Sequence, residues 1–127
     1  MTKRIMERID YLDVAQQFVK KYKLKSKVVF VNTKDYGDYV VETDEIQLRR
    51  SYPSVKEFLM TVLHEIHHAV RVHRYGYKEF IKKYQQAGQV ADYLGKDRYF
   101  ANKWERKAEG WAKHEYNRYF KDKFFDA

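Results

Sequence analysis

The chain has 127 residues, 44% hydrophobic and 35% charged, which suits one folded domain with a modest core and excludes a disordered polymer. It contains no cysteine, so disulfides, thiolate metal ligands and a cysteine nucleophile are excluded, and a transition metal would have to sit on histidine and carboxylate. The net charge of +8 can steer a protein toward nucleic acid or acidic partners, but Lys and Arg are spread from Lys3 to Lys123 with no single tract, which reads as a generic basic surface.

Met1 to Asp13 mixes charged and apolar residues without a hydrophobic run and reads as no signal peptide. No stretch approaches the roughly 20 apolar residues of a membrane span. The expectation is a cytoplasmic protein with no membrane partner. Ile5, Ile9, Leu12, Ala15, Val19 and Tyr22 recur every three or four positions, predicting an amphipathic helix from about Glu7 to Lys23. Lys27 to Asn32 is short and β-branched and reads as a strand. Asp35 to Asp38 is a turn signal around Gly37, and Tyr39–Thr43 and Glu45–Arg49 read as two further strands. In the last of these, Ile46 and Leu48 alternate with polar neighbours, as in a strand with one wet face.

Ser54 followed by Glu57 forms a capping-box pattern, so a helix should begin there and run to Arg74 or Tyr75, where Gly76 supplies a stop. Its apolar positions, from Phe58 through Leu63 and Ile66 to Val70, are too broad a set for a surface helix, so this helix should be central. A shorter helix from Lys78 to about Ala87 follows, then glycines at 88 and 95, then a helix from about Asp97 to near Lys121. The order predicts a single α+β domain over residues 1–127: an N-terminal helix, a small three-stranded sheet, a central helix and C-terminal helices.

The central helix carries His64, Glu65, Ile66, His67 and His68, which fit H-E-x-x-H. Histidines four apart share a helix face and can reach one zinc ion, while the adjacent Glu65 can act on the water that the metal holds. Apolar neighbours such as Val62, Leu63 and Ala69 keep the pair off a wholly solvated face, and in that apolar setting an ionisable Glu65 would be costly without a partner or task. Catalytic zinc usually takes a third protein ligand. The candidates are His73, His114, Glu105 and Glu109. His73 lies five residues after His68, about 140° around the helix, and suits the surface. Glu105, Ala108, Glu109 and Ala112 share one face of the last helix, and the small alanines would let two helices approach closely. His67 projects about 100° from its neighbours, toward the sheet or solvent.

The HEIHH segment, with Glu105-x-x-Ala108-x-x-Trp111-Ala112 downstream, resembles the ImmA/IrrE family of small gluzincin metallopeptidases, whose pattern is HExxH followed by E-x-x-A-[ND]-x-F-A. The likeness covers most of the chain, with motif identity confined to two helices. It implies a zincin-like (minimal gluzincin) fold, Zn²⁺ held by His64, His68 and Glu105, and Glu65 as general base. It also implies hydrolysis of a peptide bond in an intracellular protein, such as a phage or mobile-element repressor. Glu109 stands where the family has Asn or Asp, leaving open whether it supports a ligating histidine or ligates itself, and Trp111 replaces Phe. The SprT-like group shares HExxH but would need His114 as its third ligand. By analogy with zincins, Glu45 to Arg49 is the candidate edge strand for aligning substrate. No oxyanion donor stands out among His114, Tyr93, Tyr99 and Tyr116. The rival readings are a basic nucleic-acid-associated protein and a non-peptidolytic zinc-binding module.

Overall fold

A computed structural model describes residues 10–32 and 34–120. Its elements are α1 (Tyr11–Lys21), β1 (Lys27–Phe30), β2 (Gly37–Val40), β3 (Glu45–Leu48), α2 (Val55–Tyr75), α3 (Tyr77–Tyr93) and α4 (Lys103–Glu115), with a π-helical turn over Tyr116–Phe120. The chain is therefore α+β, with four α-helices and one three-stranded sheet among the described residues. No helix among them is long and apolar enough to cross a membrane.

Helix α2 is the axis of the molecule. Ser54 caps it by accepting a hydrogen bond from the Glu57 amide at 3.1 Å, and the Gly76 amide closes its last turn on Val72 O at 2.8 Å. Phe58, Leu59, Val62, Leu63 and Ile66 are completely buried along it. They pack against Val14, Ala15, Phe18 and Val19 of α1, against Tyr39, Ile46 and Leu48 of the sheet, and against Ala112 of α4. Gly76, at φ 86°, is both the stop of α2 and the residue before α3. A side chain would be strained there, so glycine suits the sharp redirection between two long helices.

The sheet order is β1-β3-β2, with β1 parallel and β2 antiparallel to β3. Strand β3 is thus central and bonded on both sides, which overturns its expected role as the substrate-aligning edge: no free backbone ladder remains on it. Its alternation holds, since Ile46 and Leu48 face the core and Glu45 and Gln47 stay half-exposed.

Two helix boundaries also differ from expectation. Helix α3 continues through Gly88 to Tyr93, and the Arg98 side chain lies over the glycine; a Cβ there would meet Arg98 Nε at 2.9 Å. Helix α4 starts at Lys103, six residues later than expected. Asp97 caps a separate turn by accepting from the amides of Tyr99 and Phe100, whereas Asn102 caps α4 by accepting from the Trp104 amide at 2.9 Å. The expected helical residues before Asp10 and the end near Lys121 lie outside the described residues.

Asp44 fastens one end of the sheet. It occupies a left-handed conformation, φ 53°, in the turn between β2 and β3, and its Oδ1 accepts hydrogen bonds from Ser26 Oγ and Tyr39 Oη, each at 2.6 Å. Its carbonyl also accepts the Lys27 amide that opens β1. Burial, together with the Asp44 carboxylate, pushes the Tyr39 hydroxyl well above its ordinary pKa, so it stays a donor. Asp44→Ala removes two charge-assisted bonds and places a Cβ-bearing residue without a local side-chain bond at positive φ. Chemical denaturation should show a loss of about 2–4 kcal/mol. Asp44→Asn keeps an acceptor and should lose less than half as much; equal losses would show that the carboxylate oxygen does not hold the turn.

Candidate metal centre

The α2 face that carries His64 and His68 is covered by α4. Ala108 and Ala112 are both fully buried between the helices, so α4 approaches closely enough for a glutamate to reach the imidazoles. His64 Nε2 and His68 Nε2 both lie 2.8 Å from one atom, Glu105 Oε1. His64 Nδ1, on the other side of that ring, lies 3.0 Å from Glu109 Oε2. His68 Nδ1 is buried with no hydrogen-bond partner among the described residues. Glu109 therefore supports His64 from behind while Glu105 faces both histidines.

Residues from α3 hold Glu105 in place. The Tyr84 hydroxyl donates a short hydrogen bond to Glu105 Oε2, leaving Oε1 for the imidazoles. Asn102 Nδ2 donates to the Tyr84 carbonyl at 3.1 Å and Trp104 Nε1 to the Lys83 carbonyl at 3.3 Å, tying the start of α4 to the middle of α3. Tyr84 was invisible to the sequence pattern. It is one tyrosine among twelve, and only the α3–α4 pairing brings it to the carboxylate.

The charges answer to this geometry. Burial acts to raise the Glu105 pKa, but hydrogen bonds from His64, His68 and Tyr84 overcome it and hold the carboxyl far below the usual range. Burial acts to lower the His64 pKa, and the Glu105 and Glu109 carboxylates reverse it, pushing it up to about 10. The His64 hydrogen bond holds Glu109 below its ordinary value. For Glu65 burial wins: its carboxyl is raised to about 7 despite the imidazoles beside it.

Glu65 lies where β2 packs on α2: a Cβ on Gly37 would stand 3.5 Å from its Cγ. It is 6% exposed and makes no hydrogen bond among the described residues. A cleft of about 910 Å³ opens here, lined by Gly37 and Asp38 of β2, His64 and Glu65 of α2, and Glu105 and Glu109 of α4, with Asp97, Tyr99 and Phe100 from the loop before α4.

The structure thus brings together His64, Glu65, His68 and Glu105. The potential ligand atoms of His64, Glu65 and His68 lie within 4.8 Å of one another, so this cluster can hold a metal ion. The donor chemistry fits as well, with two imidazole nitrogens and a carboxylate oxygen converging. Donors at roughly 2.1 Å from a tetrahedral ion stand about 3.4 Å apart, so the 2.8 Å spacings here need to widen by well under an ångström.

Other candidates fall away. His73 and His114 are exposed. His67 turns neither to sheet nor to solvent: it is buried against α4, its ring 5.6 Å from that of Trp111, and burial lowers its pKa to about 4. Its expected orientation failed because α4 covers more of the α2 surface than a single metal ligand would require. Of His114, Tyr93, Tyr99 and Tyr116, only Tyr99 lines the cleft; Tyr116 is in the core. The chain matches no protein-family model, no curated protein and no solved structure.

Gly37 sets how closely β2 can approach. A Cβ at that position would stand 2.6 Å from Thr61 Cγ2 and 3.2 Å from the Gln47 carbonyl, and 3.5 Å from Glu65 Cγ. Gly37→Ala should therefore cost about 1–3 kcal/mol in a denaturation series. Adding Thr61→Ser, which removes the clashing methyl, should restore part of it. No loss in the single variant would show that β2 is free to move away from α2.

Proposed function

We propose that the chain is a zinc-dependent endopeptidase on a minimal gluzincin-like fold, with His64, His68 and Glu105 holding the metal and Glu65 as general base. The observation that carries this reading is the convergence of two Nε2 atoms of one helix on Glu105 Oε1 of another, with a buried glutamate beside them on a cleft wall, itself without a hydrogen-bond partner among the described residues. A structural metal site would normally be closed by four protein ligands, whereas a cleft beside three leaves room for substrate. A bound zinc ion would acidify a water and polarise a peptide carbonyl.

The protein's own groups have separable tasks in this reading. Glu109, accepting from His64 Nδ1, holds a proton there, so Nε2 is the nitrogen that would give up its proton and its hydrogen bond to Glu105 when an ion binds. Tyr84 holds Glu105 in turn by occupying Oε2. Glu65, without a hydrogen-bond partner to release, accepts a proton in the cleft and passes it to the departing amine. With β3 enclosed, the sheet edge beside the centre is β2, whose Gly37 and Asp38 line the cleft. An extended peptide adding to that edge would run past Glu65.

The nucleic-acid reading draws on one localised feature. Arg71, Lys103 and Lys107 all stand within 6 Å of the Trp104 ring centre, a basic and aromatic patch on the α2–α4 side. Yet Trp104 is only 5% exposed beneath them, so a base has no open ring face on which to stack. The peptidase reading accounts for more of the buried polar groups.

Protein purified without added metal or a metal-binding tag should carry about one zinc per chain by elemental analysis. Glu105→Ala should lose it, and Glu109→Ala should bind it about 10–100-fold more weakly. Glu65→Gln should retain zinc and lose peptide hydrolysis by about 10²–10⁴-fold. A variant at full speed removes Glu65 as the base, and a wild type that refuses zinc on titration removes the metal centre.

A further inference from the structure

The cleft carries the opposite charge to the protein around it. The whole chain has a net charge of +8, from 26 lysines and arginines against 18 acidic residues. Yet seven of those acidic residues line this one cleft, beside three cationic groups, Lys34, Arg106 and the His64 imidazole. Asp35, Asp38, Glu57 and Asp97 are exposed along it. Glu65, Glu105 and Glu109 surround the histidines, and a divalent ion there still leaves carboxylates in excess. Low-dielectric walls focus such a field inside a concave site, so it acts on whatever enters more strongly than the diffuse positive surface does.

Two further observations give the field a ligand. Glu65 is 6% exposed and lines the cleft without a hydrogen-bond partner among the described residues, so the acidic lining ends in a buried carboxylate open to an incoming group. The exposed rings of Tyr99 and Phe100 stand edge to face, 5.3 Å apart, next to Asp97. An aromatic face beside a carboxylate is the surface on which an arginine or lysine side chain is held, by cation–π attraction and ion pairing together. A different part of the cleft rim already shows this affinity within the chain: the Arg49 guanidinium lies 5.4 Å from the ring centre of Tyr36, in the loop before β2.

We propose that this cleft selects cationic peptide segments, taking an arginine or lysine against Asp97, Tyr99 and Phe100 while the peptide backbone passes the histidines. The chemistry rests on the peptidase reading, but the charge selection rests on the cleft alone. Nucleic acid is repelled by the same field and is excluded from this site.

The test is fluorescence anisotropy on the full chain with three labelled peptides of equal length, identical except for Arg, Gln or Glu at alternate positions. The Arg peptide should bind about tenfold or more tighter than the Gln peptide, with the Glu peptide weakest, and added salt should narrow the gap. The triple variant Asp38→Asn, Glu57→Gln, Asp97→Asn should lose most of the preference. Each amide keeps an acceptor oxygen, including those that receive the Tyr39, Tyr99 and Phe100 amides, so the backbone turns are retained. If the triple variant fails to fold, Glu57→Gln alone should still lower the preference. Equal binding of the Arg and Gln peptides overturns the proposal, as does a preference unchanged in the folded triple variant or in Glu57→Gln.

Digestion of a mixed peptide library by the zinc-loaded protein, read by mass spectrometry, separates the two readings. Selective binding without cuts keeps the charge selection and removes the peptidase. Cuts with no enrichment of Lys or Arg beside them keep the peptidase and remove the selection.

Discussion

The structure depends on a carboxylate taken out of water between two helices. Glu105 is buried on α4, and an unpaired carboxylate in that position would cost several kcal/mol. His64 Nε2 and His68 Nε2 on α2 and the hydroxyl of Tyr84 on α3 each contribute a hydrogen bond to it. Three helices are thus tied to a single side chain. Their separation is set by residues that have almost no side chain, Ala108 and Ala112. Larger groups there would lift α4 away, and the carboxylate would no longer reach both rings.

The opposite wall is fixed by the sheet. Tyr39, Ile46 and Leu48 hold the inner face against α2, and Asp44 locks the turn that joins β2 to β3. Gly37 lets β2 lie directly over Thr61 and Glu65. The histidine pair consequently stands between a rigid helical wall that is rich in hydrogen bonds and a strand edge with backbone groups to offer. The difference between the two glutamates follows from the walls they face. Glu105 is surrounded by donors and stays ionised, whereas Glu65 is buried without one among the described residues, and burial raises its pKa.

Net charge was a poor guide to the cleft beside the histidines. A basic chain suggests acidic partners, but this cleft is lined mostly by carboxylates. Bulk charge governs solubility and long-range approach, while a cleft responds to the few groups whose field it confines. The segregation cannot be read from spacing along the chain, because the carboxylates come from the loop before β2, from β2 itself, from α2, from α4 and from the loop before it.

Local signals determined much of the architecture. The Ser54 cap, the Gly76 stop, the alternation of Ile46 and Leu48, and the helical spacing of His64 with His68 depend on nearest neighbours, and the structure has each of them. The small-residue face with Glu105 and Glu109 was also legible, since i, i+3, i+4 and i+7 positions share a side of any helix. Tertiary structure alone decided that β3 is central, because strand order depends on pairing between distant segments. It likewise decided that Gly88 continues a helix, because a glycine's helix penalty of about 1 kcal/mol is small beside the packing of a long helix. Only the packing of α4 on α2 buried His67 and separated the roles of the two glutamates, giving Glu105 both imidazoles and Glu109 the back of one. Periodicity assigns a residue to a face; which atom it meets there depends on how closely another element approaches.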